Sequence, residues 1–524
     1  MVAALPIRVT QSGPSRFESG AEIAAMSVNV SDVVVAIPQG RLRGALRDGI
    51  ASFKGIPYAV APFGANRFRP PQPAPAWEGT RDALEFGPTV PKPPYFPPFD
   101  AILLEPAIAG EECLNLNIWT PDPAATELPV MVWIHGGAFA NGTGAIPSYD
   151  GTSFARDGVV LVTINYRLGV DGFLFLDDGV ANLGLLDQVA ALEWVRDNIA
   201  AFGGESGKVT IFGESAGGMS VSTLLSMPRA KGLFKRVIAQ SGAGHHAISS
   251  GTATRVGGYL AEKLGVPADR TAIAGVPVAS AYEAQVALSA EAFMVPDPAK
   301  WGEVAANLMP FEPVIDGEVV PKLPIEGIAE GASDGIDLLV GTNREEQRLF
   351  MVPNGAIDAI DENVLGMAVA AYQLPANALA VYSGARPEAT PGDLLAAIST
   401  DWFFRIPAVR LAEAHSRNGG SAHVYEMAWR SPLYGDRLGA CHALEIGFVF
   451  DTLDAEWNDR LMGTNPPQSL ADEMHHAWVS FARDGDPGWP EYSAGRRSVM
   501  RFDAASNVVE DPDGEERRLW EGIR

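Results

Sequence analysis

Gly213-Glu214-Ser215-Ala216-Gly217 has the form G-x-S-x-G, the pattern of a serine held on a sharp turn between a strand and a helix. Such a turn exposes the serine oxygen as a nucleophile, and the following helix offers an amide donor to developing negative charge. The pattern occurs a second time, in Gly331-Ala332-Ser333-Asp334-Gly335, so context must separate the two. Ser215 follows the apolar run Val209-Thr210-Ile211-Phe212 and precedes the small, helix-compatible run Ala216-Gly217-Gly218-Met219. Ser333 comes before a strand-like run, the wrong order, and reads as an ordinary polar turn. Ser215 is the candidate nucleophile.

A serine nucleophile needs donors for its oxyanion, a base and an acid. His135-Gly136-Gly137 closes an apolar run upstream, and two glycines let the backbone approach a substrate closely. The N–H groups of Gly136 and Gly137, with that of Ala216, would make a three-donor hole. His135 itself reads as structural, because it precedes the hole and lies upstream of the nucleophile. After an elbow of this kind the acid and then the histidine follow along the chain. His415, His475 and His476 lie in helix-like segments, His423 begins a strand, and His245 and His246 precede every plausible acid. A cation at His415, near a helix C-terminus, would suit the helix dipole. His442, in the loop segment Gly439-Ala440-Cys441-His442-Ala443, is the best candidate base. The acid should end a strand, and Asp337-Leu338-Leu339-Val340 runs into Gly341-Thr342-Asn343-Arg344-Glu345-Glu346. Spacing alone does not choose between Glu345 and Glu346, and a solvated pair beside Arg344 is the bland alternative.

The elements that must position these residues alternate. Runs 128–137, 158–169, 208–213, 234–242, 335–341 and 421–429 read as strands. Leu185, Val189, Leu192, Val195 and Ile199 recur at spacings of three and four, one face of a helix with Gly203 placed to cap it. The alternation predicts an α/β protein, a mostly parallel central sheet covered by helices on both faces. Two helical stretches, about 245–330 and 352–420, are expected as cap insertions in a single catalytic domain over 31–524. Residues 1–30 are polar and aperiodic, a loose extension. Between Pro88 and Pro98 the prolines are too dense for a central strand or helix interior, so a surface loop carries Tyr95 and Phe96, with Phe99 just beyond. Phe139 and Trp402-Phe403-Phe404 are further candidate walls of an apolar pocket.

Composition excludes several functions. The 524 residues carry 39 basic and 64 acidic side chains, a net charge of -25, which opposes binding to nucleic acid or to an anionic membrane surface. No apolar run approaches the roughly 18 residues that span a bilayer, and residues 1–26 do not read as a signal peptide. Only Cys113 and Cys441 are present, too few for a disulfide framework, so a cytoplasmic location is expected. Neither H-E-x-x-H nor G-x-x-x-x-G-K-[ST] appears, so neither metal nor cofactor is expected.

With these residues assembled, the chain resembles the type-B carboxylesterases, an α/β-hydrolase family that includes bacterial esterases and cholinesterases. The likeness runs from about Val34 to the C-terminal region. Phe202-Gly203-Gly204 and, four residues on, Val209 through Gly217 match the family's serine signature throughout. Glu111 through Ile118 resembles its second signature, with Glu112 and Asn115 departing from it. Phe53 through Ala59 and Gln240-Ser241-Gly242 also fit. The resemblance implies an α/β-hydrolase fold with helical cap insertions, and a serine esterase acting through an acyl-enzyme on a small ester. It takes Glu346 as the acid and supports His442, whose segment is similar to a Gly-x-x-His-x-x-Glu-Ile motif ending at Glu445-Ile446. It makes Glu214 and Ser241 supporting groups behind the triad. Secreted relatives form a disulfide at the position of Cys113, but here no upstream cysteine exists. Cholinesterases carry a tryptophan shortly before that cysteine, whereas Asp100 to Glu112 holds no aromatic residue, so choline esters should be poor substrates. Medium-sized apolar acyl or aryl esters are the expected substrates. A carbamate or amide hydrolase with the same triad, and a catalytically dead binding module of the same fold, are the alternatives.

Overall fold

The computed structural model describes residues 30–524; the extension expected for residues 1–30 falls outside them except for Val30, which opens the first strand. Among the described residues the strands are β1 Val30–Ile37, β2 Gly40–Arg47, β3 Ile50–Pro57, β4 Thr80–Asp82, β5 Asn115–Thr120, β6 Leu128–Ile134, β7 Val160–Ile164, β8 Gly204–Glu214, β9 Arg236–Gln240, β10 Ile248–Ser249, β11 Val314–Ile315, β12 Asp337–Asn343, β13 Ala422–Met427, β14 Ser498–Phe502 and β15 Asn507–Glu510. All but β10 and β11, which pair with each other, join one sheet in the order 1-2-3-5-7-6-8-9-12-13-14-15, with β4 beside β2. From β7 to β14 neighbours are parallel, while β1, β2, β3, β5 and β15 are antiparallel additions at the edges. This is the α/β-hydrolase fold. The six strands expected from apolar runs are all present in the parallel centre. The outer strand β2 carries no such run: Gly-Arg-Leu-Arg-Gly-Ala-Leu-Arg is half exposed and charged.

Alternate side chains of the central strands feed two cores, one on each face. Val130, Val132 and Ile134 of β6 join one core, and Met131 and Trp133 join the other. Both faces are covered, so these strands read as unbroken apolar runs rather than alternating ones. The helix expected around 182–204 spans Leu183–Asn198, and Gly203 (φ 84°) caps a short extension after it. It is buried on nearly every side rather than on one face. Asp187 on it is fully enclosed because Arg167 binds it through two side-chain nitrogens, each at 2.7 Å.

The expected insertions are largely helical. The first contains helices Ser250–Leu264 and Val278–Met294 and also the β10–β11 pair. The second ends in helix Ile406–Arg417, which packs on β12 and β13 and therefore covers the sheet rather than capping it. Register sets the working edge. Ile134 of β6 stands opposite Gly213 of β8, Gln240 of β9 opposite both Glu214 and Gly341, and Asn343 of β12 opposite Met427 of β13. The carboxyl ends of these strands are thus level, and β6 has its two successors on opposite sides, the switch point where α/β sheets open a crevice.

Candidate active site

β8 runs straight into Ser215, whose backbone (φ 57°, ψ -124°) is one that L-residues rarely adopt, and helix Ala216–Ser226 starts immediately after. Such a conformation costs about 1–3 kcal/mol and survives only where neighbours hold it. Ser215 N–H donates to the Gln240 carbonyl at 2.9 Å, and the Ser215 carbonyl accepts from Met219 N–H at 2.8 Å. Close approach explains the small residues around the elbow. A Cβ on Gly217 would run into the Ile134 carbonyl, and one on Gly136 would lie 2.7 Å from the Glu214 carbonyl and 3.0 Å from Ser215 Cβ. Ser333, by contrast, is buried in the turn before β12, and its hydroxyl is 2.8 Å from His415 Nδ1.

Gly136 and Gly137 leave the end of β6 beside this turn. Neither amide meets a protein acceptor among the described residues. Ala216 N–H, at the first helical position, has no intrahelical acceptor either. The three amides expected for the oxyanion hole are therefore unoccupied donors on the segments flanking Ser215.

Glu346 and Glu345 have different fates. Glu346 is fully buried, its Oε2 is 2.6 Å from His442 Nδ1, and its Oε1 accepts from Asn343 N–H at 2.8 Å. Glu345 turns the other way, 3.0 Å from Arg348 Nε and paired with Arg430. The far nitrogen of the histidine is less expected. His442 Nε2 lies 3.0 Å from Glu214 Oε1, and no hydrogen bond joins it to Ser215 Oγ among the described residues. Glu214, the supporting group that the resemblance implies, touches the imidazole itself. Ser241, the other supporting group, is buried with a hydroxyl that makes no hydrogen bond to any of these residues.

Sequence reasoning did not single out Glu445 as a site group. It is fully buried and accepts from Asn343 Nδ2 at 2.6 Å and Gln240 Nε2 at 3.2 Å. Its one signal was its place in the histidine segment. Of the expected wall residues Phe404 lies against His442, at 4.8 Å between centroids, and Phe350, which the sequence did not single out, lies at 5.3 Å. Phe404 lies on a π-helical segment, Asp401–Arg405, a backbone distortion frequent at functional sites. Phe99 packs on Phe350 at 6.4 Å, so the Pro-rich loop reaches the site through it, while Phe96 is 67% exposed. Trp402 stacks on Tyr372, and Phe403 lies tilted against His246 at 4.5 Å between centroids. Phe139 does not line the site: it is fully buried, edge-on to Phe173 at 5.0 Å, because its positive φ turns it into the core.

His135 and His415 serve structure. His135 stacks on Tyr166, with Nδ1 2.8 Å from the Gly136 carbonyl, and burial pushes its pKa down to about 3. His415 ends its helix as expected, but burial lowers its pKa, so it is a neutral partner of Ser333 rather than a cation on the dipole. No group of three or more His, Cys, Asp or Glu among the described residues is arranged to hold a metal ion. No helix among them is long and apolar enough to cross a membrane.

Electrostatics at His442 are set by three buried carboxylates. Burial lowers its pKa, but Glu214 and Glu346 overcome this and raise it to about 9. Burial pushes Glu214 up to about 8; His442 opposes that rise, while Glu445 and Glu346 add to it. The imidazole must be neutral to take a proton, so activity should climb as the His442–Glu214 pair loses its proton. The acid limb of the kcat/KM profile is expected well above the ordinary histidine value. Glu214→Gln removes a negative neighbour that favours the imidazolium, so the limb should move to lower pH. A limb near pH 6.5 in both enzymes would contradict this arrangement.

A model of the carboxylesterase family, described as such, matches residues 31–520. The para-nitrobenzyl esterase of Bacillus subtilis (strain 168) is 36% identical over 512 residues, 93% of this chain and 98% of its own. The phenmedipham hydrolase of Pseudarthrobacter oxydans is 34% identical over 499 residues, 90% and 95% of the two chains. The carboxylesterase EST55 of Geobacillus stearothermophilus superposes with a TM-score of 0.81 at 39% identity, covering 93% of this chain and 99% of its own. Fold, elbow and these likenesses agree: the chain belongs to the carboxylesterase family and is an ester hydrolase.

Proposed function

We propose that this esterase works through Ser215, His442 and Glu346, with Gly136, Gly137 and Ala216 as oxyanion donors. The observation that carries the reading is the pairing of Glu346 with His442 Nδ1 next to an elbow serine flanked by three free amides. Ser215 Oγ attacks the ester carbonyl while His442 Nε2 accepts its proton; Glu346 keeps the Nδ1 proton in place and stabilises the imidazolium. The tetrahedral oxyanion takes hydrogen bonds from the three amides. His442 then protonates the departing alcohol, and water deacylates the serine by the reverse sequence. Before the first step Nε2 must leave Glu214 for Ser215 Oγ, a tightening that substrate binding can supply. Glu214 then stands beside the imidazolium as a third carboxylate. The Ser241 hydroxyl makes no hydrogen bond to Ser215, His442 or Glu346.

The substrates are medium-sized apolar acyl or aryl esters. Phe350 and Phe404 against His442, with Phe99 behind, offer apolar walls for an aromatic or alkyl group. A relative named for para-nitrobenzyl esters agrees with this. We read residues 31–524 as one catalytic unit, since one sheet collects strands from Val30 to Glu510. Cys113 and Cys441 are both buried and unpaired, which suits a reducing cytoplasm.

A panel of aryl and alkyl esters, carbamates, anilides and choline esters tests the reading. Neutral aryl and alkyl esters should show the highest kcat/KM. The protein's negative field draws cations, but a field is not a site. At high salt a choline ester should fall below its neutral isostere, because an apolar wall desolvates the ammonium without a dedicated partner for its charge. A choline ester that leads even at high salt would reveal a cation site absent from this reading.

A further inference from the structure

The amides of Gly136 and Gly137 can act as donors only if their peptide planes are held. The carbonyl of Gly136 and the N–H of Gly137 belong to the same planar peptide, so whatever fixes that oxygen also aims that hydrogen. Two groups fix it. His135 Nδ1 is 2.8 Å from the Gly136 oxygen, and Gly142 packs so closely on it that a Cβ there would collide with it. Between them the chain folds back on itself: the Gly137 carbonyl accepts from Ala140 N–H at 2.9 Å and from Asn141 N–H at 2.8 Å. Gly137, Ala138 and Phe139 all have positive φ (109°, 53° and 57°), a strained run that needs restraint from outside.

That restraint comes from a segment with no place in the triad. Glu105 Oε2 accepts the Gly142 N–H at 2.7 Å, and Glu105 Oε1 is 3.2 Å from Asn141 Nδ2. Asn141 Nδ2 also donates to the Pro93 carbonyl at 2.7 Å, tying the Pro-rich loop to the same turn. Lys92 Nζ, 3.8 Å from Glu105 Oε2, supplies a counter-charge, and the two side chains are only 6% and 9% exposed. A carboxylate accepting a backbone N–H in such a setting is a strong, directional bond. We propose that Glu105 is a positioning residue for the oxyanion loop, acting through the Gly142 amide on the Gly136–Gly137 peptide. The proposal rests on the reading of Gly136 and Gly137 as oxyanion donors.

The test compares ground-state and transition-state binding in full-length enzyme, with active sites titrated by a fluorophosphonate. Misplacing a reacting group by 1 Å can cost about 10²-fold, so Glu105→Ala should lose roughly 10- to 100-fold in kcat. The inhibition constant of an aryl trifluoromethyl ketone, which forms a tetrahedral oxyanion adduct, should rise in parallel. KM should change little, because the loss concerns charge that develops only in the transition state. Glu105→Gln keeps an acceptor for Gly142 and should recover most of the loss. Unchanged kcat and ketone affinity in Glu105→Ala, or equal losses in the Ala and Gln variants, would overturn the proposal. If Glu105→Ala does not fold, Asn141→Ala carries the test: a smaller loss of the same kind supports the proposal, and none overturns it. Gly137→Ala is the control. If it leaves kcat and ketone affinity intact, the oxyanion reading itself fails; if it is crippled while Glu105→Ala is unaffected, only the role of Glu105 falls.

Discussion

Ser215→Ala is expected to remove both turnover and fluorophosphonate labelling. In a triad the members act as a unit, and losing the nucleophile costs on the order of 10⁶-fold in kcat, leaving only what binding and the oxyanion hole supply. The fold should tolerate the change. The elbow is held by backbone bonds from Ser215 N–H to Gln240 and from Met219 to the Ser215 carbonyl, and alanine keeps both. Thermal denaturation should therefore give a near-native midpoint for an inactive enzyme. Mass spectrometry of the labelled wild-type chain should find the adduct on Ser215. An adduct on Ser333, which persists in the Ser215→Ala variant, would sink the assignment. The structure gives a reason to expect none, since Ser333 is fully buried in the turn before β12.

Glu346→Gln should be the second most damaging change. A carboxylate that holds the histidine tautomer and stabilises the imidazolium is worth about 10⁴-fold when replaced by its amide. The amide can offer its oxygen to Nδ1 or to the Asn343 N–H, but it carries no charge to stabilise the imidazolium. Glu345→Gln should keep most activity, because Glu345 pairs with Arg348 and Arg430 rather than with His442. It does accept Ala440 N–H at 3.0 Å, two residues before His442, so a loss of a few-fold would fit. Steady-state kinetics of the two variants, with circular dichroism to verify folding, decide the matter. The reverse ranking would mean that the acid had been assigned to the wrong neighbour.

The fold's centre was legible in the residues alone. β6, β8, β9 and β12 are short apolar runs ended by glycine or polar residues, and burial on both faces is what makes such runs uniform. The elbow was legible for a similar local reason: its small residues are dictated by contacts within a few residues and one neighbouring strand. Strands β2 and β4 were not legible, because a half-exposed strand writes only a weak pattern. Glu346 marks the boundary. Spacing left Glu345 and Glu346 equal and resemblance chose the second; the choice in space follows from Glu346 being enclosed, where only His442 and the Asn343 amide can satisfy it.

Other features belong to the tertiary structure alone. Which way His442 Nε2 points depends on Glu214 and Glu346, two carboxylates that reach it from the end of β8 and from the loop after β12. Phe139 sits two residues past the candidate donors and still turns into the core, because a positive φ redirects its side chain. Glu105 and Gly142 are 37 residues apart, and nothing in either segment announces the other. Sequence by itself determined which residue types could do acyl-transfer chemistry and which strands would carry them, since those depend on local pattern. Only tertiary structure decided their partners, because hydrogen bonds and burial across distant segments arise when the sheet brings its carboxyl ends level.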